Sequence, residues 1–173
     1  MAELHIVGTL IGASQFPASE LCCEDWKLLE GFESAQTQVD IPAEDSNITL
    51  WDHPIDVHYS TNSIEGWPKM QFQVYHQDSF GRNELYGYGV CYVPTIPGTH
   101  EIDCVTWRPV GSFTDQLWSF FLNATPQLKN LDIIHNPTDR YQLTTESMGK
   151  IHLEITVICR NFQNYGVCLS TKQ

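Results

Sequence analysis

The sequence predicts an all-β fold, an antiparallel β-sandwich of about eight strands with one short helix. Apolar and polar residues alternate with period two through Met70–His76 and Lys150–Arg160, the pattern of a half-buried strand. Clusters rich in Gly, Pro, Asn and Asp separate the runs, and only one segment has helical spacing. With 173 residues, 42% of them hydrophobic, the chain can bury one core and is short for two. Residues 1–166 are therefore expected to form one domain, and 167–173 a tail without pattern.

The elements follow in order. Leu4 to Ile11 reads as the first strand, and Gly12 to Ser19 as a loop of punctuating residues. Trp26 to Leu29 is the next strand. Gln36 to Val39, Ile48 to Trp51 and Ile55 to Tyr59 are short candidates, the last setting Ile55, Val57 and Tyr59 against Asp56 and His58. Met70, Phe72, Val74 and His76 face one way, and Gln71, Gln73, Tyr75 and Gln77 the other. Asp78 to Arg82 breaks the run as a turn, after which Leu85 to Val93 resumes as a strand containing Gly87 and Gly89. Thr99 to Val105 and Lys150 to Arg160 complete the set, the latter with Ile151, Leu153, Ile155 and Val157 on one face. For the helix, Ser112 and Asp115 have capping-box spacing and Gln116 to Asn123 follow, with Leu117, Phe120 and Phe121 on one face and Pro126 as the stop. Asn136 to Asp139 reads as a turn. Strands in this number suit a sandwich or a barrel.

Charge narrows the function classes. Nine Lys and Arg against 21 Asp and Glu leave a net charge of −12, a field that repels phosphate backbones and anionic lipid heads. No nucleic-acid partner is expected, and contact with a membrane is peripheral at most. No apolar run reaches the roughly 18 residues of a spanning helix, and the amino terminus lacks the pattern of a secretory signal. A soluble, intracellular protein is the expectation, in which the six cysteines are reduced thiols. Cys91, Cys104 and Cys159 sit in strand-like surroundings where cysteine acts as a small hydrophobe. Cys22 and Cys23 are adjacent and no CxxC pair occurs, so the spacing typical of structural zinc is missing.

A search for reaction chemistry is negative. The chain has no GxSxG, no HExxH and no GxxxxGK[ST], and Gly87-Tyr88-Gly89 lacks the third glycine of a dinucleotide loop. His152 and Glu154 have HxE spacing without a downstream PCxxC. No nucleophile, base and oxyanion donor can be named together, so no catalytic residue, cofactor or metal is expected. Surface recognition remains. Pro94 to Gly98 presents Thr95 and Ile96 on a segment stiffened by two prolines, which would lose little further entropy on docking. Phe80 with Arg82, and Trp107 with Arg108, place aromatic and guanidinium groups together, the types enriched at binding hot spots. Trp26, Trp51, Trp67 and Trp118 read more simply as core or half-core residues.

The order Val74-x-His76-x-Asp78-x-x-Gly81-x-Asn83-Glu84-Leu85-x-Gly87 resembles the strand and loop of C2-type sandwiches, in which acidic residues at the places of His76, Asp78 and Glu84 help hold calcium. A larger set resembles the B9-domain family, a C2-like group of ciliary proteins. It comprises Leu4 to Ser14, Thr37 to Asp40, Trp51 to Asp56, Gln77 to Arg82, Gly87 to Gly89, Pro97 to His100, Trp107 to Pro109 and Arg160 to Gly166, which together span nearly the whole chain. The connection Leu21 to Trp26, LCCEDW, is shorter than the family's usual one. The resemblance implies a C2-like sandwich and a non-enzymatic scaffold subunit of the tectonic-like (Meckel syndrome) complex at the ciliary transition zone. That complex is required for ciliogenesis and for the membrane-protein diffusion barrier. The implied partners are other B9-domain proteins, namely B9 domain-containing protein 1 and the Meckel syndrome type 1 protein, together with tectonic-complex proteins and gamma-tubulin. The implied location is the cytoplasm and cytoskeleton, at the basal body and transition zone of the cilium.

Two other readings compete. A calcium-dependent phospholipid-binding C2 module is disfavoured by the net charge and by His76, since an imidazole is a poor ligand for a hard cation. A carbohydrate-binding sandwich using exposed Trp is disfavoured by the lack of a secretion signal.

Overall fold

Alternating side chains set the first strand, β1 (Ala2–Ala13), with Leu4, Ile6 and Leu10 fully inward and His5, Val7 and Thr9 on the opposite face. The structure is a computed structural model that describes residues 1–13, 19–22, 27–31, 34–40, 48–62, 66–77, 83–111, 127–128, 132–135 and 143–166. The further strands are β2 (Ser19–Cys22), β3 (Lys27–Gly31), β4 (Ser34–Ala35), β5 (Thr49–Thr61), β6 (Lys69–Gln77), β7 (Asn83–Tyr92), β8 (Gly98–Pro109) and β9 (Thr145–Arg160). They form one antiparallel sheet of nine strands in the order β3-β5-β1-β9-β8-β7-β6-β2-β4. The two short strands β2 and β4 bring the number to nine.

The sheet folds over on itself, with β3 and β4 at its two edges. β8 pairs with β9 along most of its length, from Gly98↔Val157 to Pro109↔Thr145, but with β7 only at Tyr88↔Trp107 and Gly89↔Thr106. About that narrow join, the half containing β1, β5 and β9 folds over the half containing β6. The core lies between them: Leu4, Ile6, Val57, Tyr59, Ile151, Leu153, Ile155 and Val157 from one half, Met70, Phe72 and Val74 from the other. Each such side chain contributes roughly 1.5–3 kcal/mol by leaving water. A smaller cluster of Leu85, Tyr88, Trp107 and Ile134 lies apart from that core, Ile134 coming from a helical turn at Asp132–His135.

Ile48 to Trp51 and Ile55 to Tyr59, expected as separate strands, belong to the single strand β5 that starts at Thr49. Between them β5 carries a bulge at Trp51 and Asp52, after which His53 and Pro54 pair with Leu10 and Thr9. Asp52 adopts φ 44, and Trp51 and Asp52 together oppose the single residue Ile11 where the register shifts. Asp tolerates that left-handed conformation, and an extra residue on one strand bends it without ending it. Pro54 is accommodated because β3 pairs only with Val57 to Ser60, leaving the outer side of β5 without a β3 partner at the proline. On β1, Gly12 makes the bulge possible, since a Cβ there would lie 2.0 Å from the carbonyl oxygen of Thr49.

Gln36 to Val39, expected as a strand, is a segment without ladder pairing. Only Thr37 of that run is buried, so one small polar residue is all it offers to the core. Asp40 anchors its end by accepting the Leu50 N–H at 3.1 Å. Leu21 and Cys22, expected in a connection, lie in β2 opposite Met70 and Lys69. The strands expected at Thr99 and Lys150 are longer than their apolar patterns, reaching Pro109 and beginning at Thr145. The expected helix at Gln116 to Asn123, the turn at Asn136 to Asp139, Trp26, Trp118 and the tail 167–173 lie outside the described residues.

Candidate surface for protein contacts

The link from β7 to β8 is held at both ends. Trp67 donates its indole N–H to the Val93 carbonyl at 2.8 Å, and the Val93 N–H donates to the Pro68 carbonyl at 3.2 Å. At the far end, the His100 Nε2 donates to the Ile96 carbonyl at 2.8 Å. Pro94 and Pro97 restrict the backbone between those anchors. Ile96 therefore stands 53% exposed on a preorganised segment, with Thr95 exposed beside it. Ile96 is not tucked beneath the sheet end.

Register places more apolar surface at the same end of the sheet. Gly98 on β8 pairs with Val157 on β9, so the loop meets β9 next to Ile158, which is 50% exposed. Ile158 stands opposite His5, and Val7, 43% exposed, is the next outward residue of β1. A hydrogen bond between the hydroxyls of Thr99 and Thr156 at 2.9 Å continues that outer face. Val7 and Ile158 were not singled out from sequence. The signal was present, since both fall on the polar phase of strands whose apolar phase forms the core.

The other sequence candidates separate. Trp107 is only 5% exposed, packed on Tyr88 with ring centroids 5.7 Å apart, so its indole belongs to the smaller core cluster and is not offered to a partner. Tyr88 is buried with it, accepts the Leu128 N–H at 3.0 Å, and has its phenol pushed upward by desolvation. Arg108 faces outward and pairs through its Nε with the Glu146 carboxylate directly across β8 and β9. Trp107 and Arg108 thus point to opposite sides of one strand, as period two demands. Phe80 and Arg82 lie outside the described residues, as does Asp78 of the C2-like pattern. Its companions His76 and Glu84 oppose one another on β6 and β7, with the His76 ring 5.2 Å from that of Tyr86.

Among the described thiols, that of buried Cys104 is lowered by its hydrogen bond with Cys91, against the opposing effect of burial. The Cys91 thiol is pushed up, first by its hydrogen bond with Cys104 and then by burial, and burial also raises Cys159. Raised thiols are weak nucleophiles. On the outer face Asp103 accepts from His152 Nδ1 at 2.7 Å and from Lys150 Nζ at 3.3 Å. Those two hydrogen bonds, His152 first, hold its carboxyl below the usual carboxylate range.

Comparison with known proteins agrees with this architecture. The sequence model of a family described as "Ciliary basal body-associated, B9 protein" matches residues 4–158. B9 domain-containing protein 2 of Danio rerio is 50% identical over 174 residues, covering 96% of this chain and 99% of that protein. The Homo sapiens protein of the same name is 49% identical over 174 residues, with 96% and 99% covered. B9 domain-containing protein 1 of Mus musculus is 27% identical over 166 residues, covering 90% of this chain and 81% of that protein.

Proposed function

Because the chain belongs to the B9 family of ciliary basal body-associated proteins, we propose that it acts as a non-enzymatic scaffold subunit of a tectonic-like (Meckel syndrome) complex at the ciliary transition zone, through assembly with other B9-domain proteins. The observation that carries this reading is the exposed Ile96 on its proline-stiffened loop, beside Ile158 and Val7 at one end of the outer face. Apolar residues fixed in place before contact lose little conformational freedom when covered. An arrangement of this kind serves shape recognition rather than bond making.

The partners in this proposal are B9 domain-containing protein 1 and the Meckel syndrome type 1 protein, with tectonic-complex proteins and gamma-tubulin beyond them. Side-by-side assembly would let several weak peripheral membrane contacts act together, so that avidity offsets poor individual affinity. In that way the complex would support ciliogenesis and the membrane-protein diffusion barrier. Co-expression with the two sibling B9-domain proteins followed by size-exclusion chromatography tests the proposal. A stable co-eluting assembly supports it, and elution of the chain alone in the presence of folded siblings refutes it.

A further inference from the structure

We propose that Glu3, His5 and His58 form a binding site for a divalent transition-metal ion of the zinc class, on the outer face of the sheet where β1 meets β5. Nothing in the linear order announces it: two ligands alternate on β1, and the third arrives from β5 because His5 and His58 are register partners. Each side chain offers one ligand atom, and these atoms all lie within 4.8 Å of one another.

The two imidazoles stack with centroids 3.7 Å apart and planes 18° from parallel. Two ligand nitrogens on one tetrahedral zinc ion, with bonds of about 2.1 Å, are separated by about 3.4 Å. Because each lone pair lies in its ring plane, both rings must turn out of the stack about their Cβ–Cγ bonds to aim the two nitrogens at a shared ion. The Nε2 atom of His58 is buried and has no hydrogen-bond partner. Its nearest carboxylate oxygen, Oε2 of Glu3, stands 4.0 Å away, beyond hydrogen-bond reach. A buried ring nitrogen without a partner is costly. An ion between the two atoms would satisfy both and leave a coordination position open to water or to a ligand from outside.

Ligand chemistry selects the ion. Two imidazoles and one carboxylate suit zinc and its neighbours, whereas calcium and magnesium demand more oxygens. The surroundings are mixed in sign. Arg160 approaches Glu3, with Nη1 at 3.8 Å from Oε2, but its side chain is 72% exposed and can yield that oxygen or hold the other one. Glu30, opposite His58 on β3, adds an exposed carboxylate at the rim. Bound there, the ion would cross-link β1 to β5.

The test uses the whole chain, stripped with chelator and titrated with zinc chloride and, separately, cobalt chloride. One ion per chain is expected, with the ring signals of His5 and His58 moving in long-range proton–nitrogen spectra and no thiolate-to-cobalt charge-transfer absorption. His5→Gln and His58→Gln should each weaken binding at least about tenfold. Undiminished binding by the double variant, a thiolate absorption band, or no binding below roughly 100 µM overturns the proposal. If either variant fails to fold, the ring signals of the native chain decide alone: movement of both supports the site, and stationary signals refute it.

Discussion

Trp107 on β8 and Tyr88 on β7 are register partners whose rings meet at 5.7 Å and 47°, and theirs is one of the two ladder pairs between β7 and β8, where the halves of the sheet meet. The Trp107 side chain, packed with Leu85 and Ile134, therefore wedges the narrowest part of the fold. Trp107→Ala should destabilise the chain by about 3–5 kcal/mol, as removal of a buried indole does. Equilibrium urea unfolding measures this, and a loss under about 1 kcal/mol would show that the ring does not support the join.

Ile96 makes the opposite prediction. Its side chain is mostly in water, so Ile96→Asp should leave unfolding within about 0.5 kcal/mol of the parent. If the surface docks a sibling B9-domain protein, the same change should weaken binding by ~2 kcal/mol, the scale of a hot spot. Calorimetric titration of parent and variant against a folded sibling, beside urea unfolding of each, separates the effects.

Gly12→Ala tests the bulge. The added methyl would meet a backbone carbonyl oxygen that cannot rotate away. A cost of roughly 2 kcal/mol or more is expected, as for other forced overpacking. Unchanged thermal unfolding would mean that β1 and β5 can separate locally at no cost.

Asp103 makes stability depend on pH with a definite sign. Its folded carboxyl is held below the ordinary value by His152 and Lys150, so its contribution is present above the ordinary carboxylate pKa of about 3.9 and disappears as pH falls through the folded value. Asp103→Asn should lower the melting temperature slightly at pH 6, and the gap should close toward pH 3. A gap that widens on acidification would reverse the assignment.

Arg108 and Glu146 form a directly opposed, partly exposed pair. Arg108→Glu should cost about 1 kcal/mol or less, through like charges across the strands, and Glu146→Arg in the same chain should restore most of it. A double-mutant cycle read by urea unfolding measures the coupling.

Period-two alternation made the core strands legible. Ile151, Leu153, Ile155 and Val157 are all buried, as are Met70, Phe72 and Val74. The short strands at Ser19 and Ser34 were not legible, because a strand of two to four residues carries no period to read. Asp52 and Pro54 misled in another way: residue types that normally end a strand here mark a bulge and a regularly paired position just beyond it. Ile96 was visible as a candidate because prolines flank it, whereas Trp107 was drawn outward by its neighbour Arg108 when strand geometry sends the two to opposite faces. Glu3, His5 and His58 could not be found by spacing at all. Their proximity is a product of strand pairing, which a linear motif does not encode.

The placement of β9 between β1 and β8 has a consequence for synthesis. β1 cannot acquire its second neighbour until residues 151–160, which follow every other described strand of the sheet, have left the ribosome. Such distant pairing favours slow closure and prolonged exposure of half-built sheet. A premature stop codon even a short way upstream of Arg160 would accordingly remove the middle of the domain rather than trim its end.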